Sequence, residues 1–398
     1  MADEEELAPV ECAETEPGSA LEEPAVAWSD IEAEEGSDGW HSDEPDEAAE
    51  IEGEIVGAIC PVRMGRSDCD PQCGRGLHVA AQGVDDEPVC LMHSKDPNKQ
   101  SGPLFDLFLS EFVKSLEEAG EGVAHFERVV FPNLDLTRWS FQATCSFRYA
   151  LFTRDARFSQ ATFNRNADFL GAIFSQDAKF YKAEFKQQAN FSKVTILRNA
   201  NFSHATFAGD STFRQATFRG HAGLSHAEFK KTANFIRTTF MQGADFPDAV
   251  LAGNAYFNWA RFEGYAFFLR AAFETNADFH RAAFAKHGNF SRTTFMKRAN
   301  FFESKFMQNA NFSRSTFAEG ARFAESNFTL DANFIKATFT QNASFADATF
   351  ARDGKFQRAA FVQNADFSKI TFTGVANFGE TRFNGSAYWT DGNFLGTA

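Results

Sequence analysis

Residues 60–100 bring together four cysteines and two histidines: Cys60, Cys69, Cys73, His78, Cys90 and His93. Two pairs stand at short spacing, Cys69-x3-Cys73 followed by Gly74, and Cys90-x2-His93. Two turns that each offer two soft or borderline ligands are what a tetrahedral zinc ion needs. Cys69, Cys73, Cys90 and His93 are therefore the candidate ligands, with Cys60 and His78 as alternates. A stretch of this length with few apolar residues also needs something to fold around, and a metal supplies it. The spacing departs from the Cys-x2-Cys of common zinc knuckles, so free thiols or a disulfide stay open as alternatives. The expected ion is structural, because no nearby Glu sits in a recognisable general-base motif. Elsewhere the chain holds no phosphate-binding Gly loop, no Gly-x-Ser-x-Gly and no His-Glu-x-x-His. A non-enzymatic protein is expected.

The elements around this segment can be read from composition. Net charge is −16 over 398 residues, but residues 1–59 carry 21 acids and no Lys or Arg, and residues 136–398 carry 20 acids and 31 bases. The acidic tail is too poor in apolar residues to offset its ordering entropy, so disorder is expected there, with Trp28, Trp40 and Ile51 as possible anchors for a partner. After Pro103, apolar residues at Leu104, Phe105, Phe108, Leu109, Phe112, Val113 and Leu116 form a helical stripe that stops at Gly120. Val123 to Phe131 reads as a strand. Residues 101–135 are thus expected to cap the N-terminal end of the remaining chain, residues 136–398, and to cover its exposed core and backbone edges.

Phe accounts for 50 residues, and 43 of these fall in one register over residues 136–398. The spacing alternates five and six. One series runs from Leu136 through Phe147, Phe158, Phe180, Phe202, Phe312, Phe334 and Phe356 to Trp389; the other runs from Phe141 to Phe394. A coiled coil is excluded, because a five-residue step turns a helix by about 140° and separates the two series, and because Asn, Thr, Ser, Asp and Gly abound. Short extended segments that turn a corner every five or six residues fit instead. Each points a Phe, and the small residue two before it, inward. Asn or Asp before Phe, and Gly or Asn at the corners, suit local side-chain to backbone bonding.

Stretches such as Ala167-Asp168-Phe169, Ala189-Asn190-Phe191, Ala244-Asp245-Phe246, Ala310-Asn311-Phe312 and Ala365-Asp366-Phe367 resemble the pentapeptide-repeat family. The resemblance implies an all-β solenoid, a right-handed quadrilateral β-helix. The family's usual repeat of five gives 20 residues per coil; here one extra residue on alternate faces gives 22, hence about 12 coils and a length of roughly 55 Å at about 4.8 Å per strand. The segment from Cys90 to Lys99 also resembles the stretch that precedes some Phe-type arrays in bacterial proteins.

With 22 residues per coil, Arg270, Arg292, Arg314, Lys336 and Arg358 stack as a basic stripe, while Glu303, Glu325 and Asp347 stack on the opposite side. A solvated ladder, an anionic partner (nucleic acid or acidic protein) or the acidic tail itself would each fit the stripe. The Phe point inward and are not interleaved with the outer Arg, which counts against single-strand binding by base stacking. Some members of the resembled family modulate a topoisomerase by mimicking DNA. Only the acidic column speaks for that here, against a repeat region of net charge +11. The expected function is a non-enzymatic scaffold or protein-interaction module with an unidentified protein partner. The C-terminal end, from Tyr388 and Trp389 to Ala398, shows no cap, which suits a homodimer through that end. Mean hydropathy is −0.35, no run of 18 apolar residues occurs, and the N-terminus lacks a signal-peptide pattern. A cytoplasmic protein without a membrane partner is expected.

Overall fold

In a computed structural model of the protein, which describes residues 59–63, 72–78 and 85–396, the chain winds from Val123 onward through a four-sided parallel β-helix. The acidic tail, with Trp28, Trp40 and Ile51, lies outside the described residues, as does Cys69. Each wall of a coil is a strand of only two or three residues, because a corner follows every five or six. Stacking these strands builds four faces of 13, 13, 11 and 12 strands in the order the chain meets them. Partners are 22 residues apart, as in Ala178 with Ala156 and Ala200, or Phe185 with Phe163 and Phe207.

The solenoid begins earlier than the Phe register alone indicates. β1 (Val123–His125) and β2 (Val130–Phe131) pair with the next coil at a separation of 21 residues, Val123 opposite Thr144 and Phe131 opposite Phe152. Phe126 and Phe131 stack on Phe147 and Phe152, at 5.2 and 4.6 Å. Val123 to Phe131, assigned to the cap by sequence, are therefore part of the first coil, hidden from the periodicity by one missing residue.

Inside, each Phe stacks on its counterpart one coil away, as Phe158 on Phe180 at 4.9 Å and 1°. It also meets rings of the other walls edge-on, as Phe312 meets Phe306 of an adjoining wall at 5.7 Å and 80° and Phe323 of the opposite wall at 5.2 Å and 83°. Offset or edge-to-face ring pairs contribute about 0.5–1.5 kcal/mol beyond area burial. The small residue two before the Phe, usually Ala, fills the space between rings, and away from the C-terminal end both are buried, as Ala310 and Phe312 are.

Corners depart from expectation. Two residues after each first-series position the backbone takes a left-handed φ, near 55–60° in 23 non-glycine residues including Gln160, Arg270 and Glu303, and left-handed too in Gly171, the lone glycine of this column; Arg128, two after Phe126, does the same in the first coil. Neither Gly nor Asn dominates, because the side chain points into solvent and the backbone is bonded on both sides. Gln160 N–H donates to Tyr181 O at 2.7 Å, and Ala161 N–H closes the turn on Phe158 O at 3.0 Å. The Asn or Asp before Phe does bond locally: Asn311 Oδ1 accepts from Ser313 N–H and Asn333 Oδ1 from Ile335 N–H.

One end is sealed. α1 (Pro103–Ala119) starts on a proline and ends where Gly120, at φ 53°, caps Leu116 and Glu117 carbonyls. Its buried Phe108 and Phe112 rest on the first coil, Phe108 on Phe131 at 5.7 Å and Phe112 on Phe126 at 4.8 Å. At the other end no described element covers the last coil, and Phe394 is 42% exposed.

Candidate metal centre and outer charge columns

Residues 59–63 run antiparallel to 72–76, bridged at Ile59–Gly76 and Arg63–Gln72. Cys60 N–H donates to Arg75 O at 2.7 Å and Cys73 N–H to Val62 O at 2.8 Å, which sets both thiols on this hairpin. The second pair comes from a single turn, in which His93 and Ser94 N–H groups both donate to Cys90 O at 3.0 Å. Hairpin and turn converge: the ligand atoms of Cys60, Cys73, Cys90 and His93 lie within 4.8 Å of one another. Cys60, held in reserve by the sequence reading, supplies the fourth atom beside Cys73, Cys90 and His93. The other alternate, His78, turns away and pairs through Nε2 with Asp96 at 3.1 Å. Sequence spacing gave Cys60 only as an alternate because its proximity to Cys73 is created by antiparallel pairing across thirteen residues.

The spacing fits one tetrahedral ion. Zn–S and Zn–N bonds of about 2.3 and 2.0–2.1 Å require S···S edges of about 3.8 Å and S···N edges of about 3.6 Å. Cys73 Sγ lies 3.8 Å from Cys90 Sγ, and His93 Nδ1 lies 3.4 and 3.3 Å from the sulfurs of Cys60 and Cys90. Surrounding groups orient the ligands. His93 Nε2 is 3.0 Å from Glu127 O; a carbonyl only accepts, so Nε2 carries a proton, and Nδ1 is the nitrogen that faces the sulfurs and would take a metal once deprotonated. Arg75 Nη1 donates to Cys73 Sγ at 3.3 Å. Hydrogen bonds from Cys60 and then Cys90 hold the Cys73 thiol far below its ordinary range. The same neighbours, Cys60 first, push Cys90 up, and burial adds to this. For His93, burial disfavours the charged form, but the bond to Cys60 and the thiol of Cys73 outweigh it and raise it to about 9. Cys60, Cys73 and Cys90 are free thiols.

The cluster is also part of the solenoid's first rung. Val130 N–H of β2 donates to Met92 O at 2.9 Å, so the turn from Cys90 to His93 is stacked on the β-helix, as a preceding coil would be.

Comparison with protein families settles the array. The family model described as pentapeptide repeats (9 copies) matches residues 126–173, 169–217, 213–258, 301–349 and 334–382, together more than half of the chain. The chain belongs to the pentapeptide-repeat family. No curated protein and no solved structure matches it. The match starts at Phe126, in agreement with the first coil. Between the matched stretches, residues 259–300 keep the same strand register.

On the pentapeptide-repeat walls, the basic stripe lies along one left-handed corner and the acidic column along the diagonally opposite one. The ends of the stripe are neutralised: Arg270 bonds Asp248 twice, both at 2.6 Å, and Arg358 bonds Glu380 at 2.9 and 3.0 Å. Among the described residues, Arg292, Arg314 and Lys336 between them make no ion pair. On the other corner Arg281 bonds Glu303 at 2.6 and 3.0 Å, which holds the Glu303 carboxyl below its usual range and leaves Glu325 and Asp347 as the exposed acids.

Outer aromatics do meet Arg on this side, contrary to the sequence reading. The Arg281 guanidinium lies 4.7 Å from the Trp259 ring and that of Arg322 3.7 Å from Phe302. A Phe outside the ladder register cannot turn inward, so Phe302 packs along the wall. Among the described residues, no helix is long and apolar enough to cross a membrane.

Proposed function

We propose that this protein is a non-enzymatic β-helical scaffold whose walls and corners serve as interaction surfaces, and whose N-terminal end is fixed by a structural zinc ion. The observation that carries this reading is the ligand set itself. Three sulfurs and one imidazole nitrogen, all within 4.8 Å of one another, would make a four-ligand shell, which lacks the open position that a catalytic zinc needs. The cluster is placed where it braces the cap against the first coil, not where a substrate would lie on the walls. Metal analysis of the purified chain tests it: one zinc per chain is expected, lost when Cys60, Cys90 and His93 are replaced, and a metal-free wild type would remove the site.

A second reading concerns the partner. Three cations in consecutive coils that make no ion pair among the described residues, Arg292, Arg314 and Lys336, favour an anionic surface, whether nucleic acid or acidic protein. Such binding falls steeply with salt, so absence of binding to DNA or heparin at low salt would remove it. A pull-down with and without residues 1–58 separates an external partner from the chain's own acidic tail. The bare C-terminal coil suits a second copy of the chain. Sedimentation that stays monomeric at high concentration would exclude that.

A further inference from the structure

Lys99 is fully buried, the only Lys or Arg in that state among the described residues. Burying a lysine is unusual unless it is paired. Its Nζ donates to Leu91 O at 2.8 Å and to Met92 O at 3.4 Å. Those are the two carbonyls inside the turn that joins Cys90 to His93. On its other side Nζ stands 5.1 Å from the centre of the Phe108 ring of α1.

Charge explains why a cation belongs there. Three thiolates and a neutral imidazole around a divalent ion leave a net charge of −1 in a largely buried site. His93 is neutral in that state, because its one proton sits on Nε2 toward Glu127 O. Arg75 reaches Cys73 from the half-exposed side; among the described residues, Lys99 is the buried cation beside the Cys90–His93 turn. The nearby acids have donors of their own. Asp85 takes the Ser94 hydroxyl at 2.5 Å and the Lys95 N–H at 2.8 Å. Asp96 takes the Asn98 N–H at 2.9 Å and His78. Burial lowers the Lys99 ammonium to about 7, against the opposing pull of Cys90, Asp85 and Asp96.

We infer that Lys99 is the buried counter-ion and positioning residue of the metal centre, offsetting its excess negative charge while holding the Leu91 and Met92 carbonyls of the chelating turn. This rests on the zinc reading above. It also gives the stretch from Cys90 to Lys99 one purpose: two ligands, a turn, a 3-10 turn (Pro97–Gln100) and the cation that returns beneath it.

Zinc affinity of the full chain, read by competition with a chelator, tests this in four variants: wild type, Lys99→Met, Cys73→His and the double substitution. Lys99→Met is expected to weaken zinc binding by about 10–100-fold, the range for residues that support metal ligands. Cys73→His makes the centre neutral, and there the same loss is expected to shrink to less than about threefold. Cys60→His serves as the neutral centre if Cys73→His binds no zinc. Lys99→Gln, which keeps a donor but not the charge, should weaken binding as Lys99→Met does. Melting of the solenoid by circular dichroism controls for folding. Unchanged affinity in Lys99→Met overturns the inference. Equal loss in charged and neutral centres, or full affinity in Lys99→Gln, also overturns it, since Lys99 would then only hold the turn. A wild type without zinc overturns the metal reading instead, and is distinguishable from all of these.

Discussion

Phe312 sits between Phe290 and Phe334, 4.9 and 5.0 Å away with nearly parallel rings, and meets Phe301 and Phe323 edge-on, both at 5.2 Å. Its neighbours are themselves locked in stacks and cannot collapse into a gap. Phe312→Ala is expected to cost about 3–5 kcal/mol, the range for removing a buried aromatic ring; a change below about 1.5 kcal/mol in denaturant unfolding would contradict the ladder as a rigid core. Arg314 shows the opposite case. It is exposed, unpaired among the described residues, and stacked between Arg292 and Lys336 in the 22-residue register. Its removal relieves like-charge repulsion and leaves no partner stranded. Arg314→Ala should therefore shift stability by no more than about 0.5 kcal/mol, toward greater stability at low salt. A clear loss would mean that Arg314 is bonded to something.

At the scale of the strand and its corner, the chain alternates two devices. Asn and Asp side chains bridge coils, as when Asn199 Oδ1 accepts from His221 N–H at 3.1 Å while its own N–H donates to Asp177 Oδ1 at 3.2 Å. The left-handed corner is closed by backbone bonds, with a side chain such as Thr212 or Asn311 bonding beside it, and its own side chain points outward, so it tolerates long side chains but not β-branched ones. Gln215, at φ 58°, is a test position: Gln215→Gly should be within about 0.5 kcal/mol of wild type, because relief of strain and added freedom of the unfolded chain oppose each other. Gln215→Val should destabilise by more than about 1 kcal/mol. Equal melting of the two variants would mean that the corner is not strained. This also marks how far the sequence could be read. The Phe and Ala spacing fixes which side chains face inward; the four walls came with the family resemblance, and the 22-residue coil and the charge columns from the two together. A corner's φ leaves no residue signature when solvent-facing Arg, Gln, His and Glu serve equally well. The first coil was hidden by its 21-residue step, and Cys60 by a hairpin whose pairing is non-local.

Across the whole molecule the two ends differ in kind. Every coil bonds only to the coils on either side, so stability is approximately a sum of nearest-neighbour terms and a disturbance at one end need not travel. The N-terminal end concentrates its contacts around one cluster. His93 Nε2 is bound to Glu127 O, Met92 O accepts from Val130 N–H, and Lys99 lies over Phe108, which packs on Phe131. If zinc holds Cys60, Cys73, Cys90 and His93 together, a chelator releases the hairpin and the turn at once, because neither has a core of its own to fall back on. Hydrogen exchange should then accelerate across residues 85–100, α1 and β1–β2, where Phe112 and Phe126 lose their cover. Amides several coils away, such as Phe312 N–H bonded to Asn333 O at 2.7 Å, should keep their protection, and far-UV circular dichroism should barely change. Two results would speak against this division. No change anywhere would mean that the end is held without a metal, whereas loss of protection along the entire array would mean that the cap and the coils unfold as one cooperative unit.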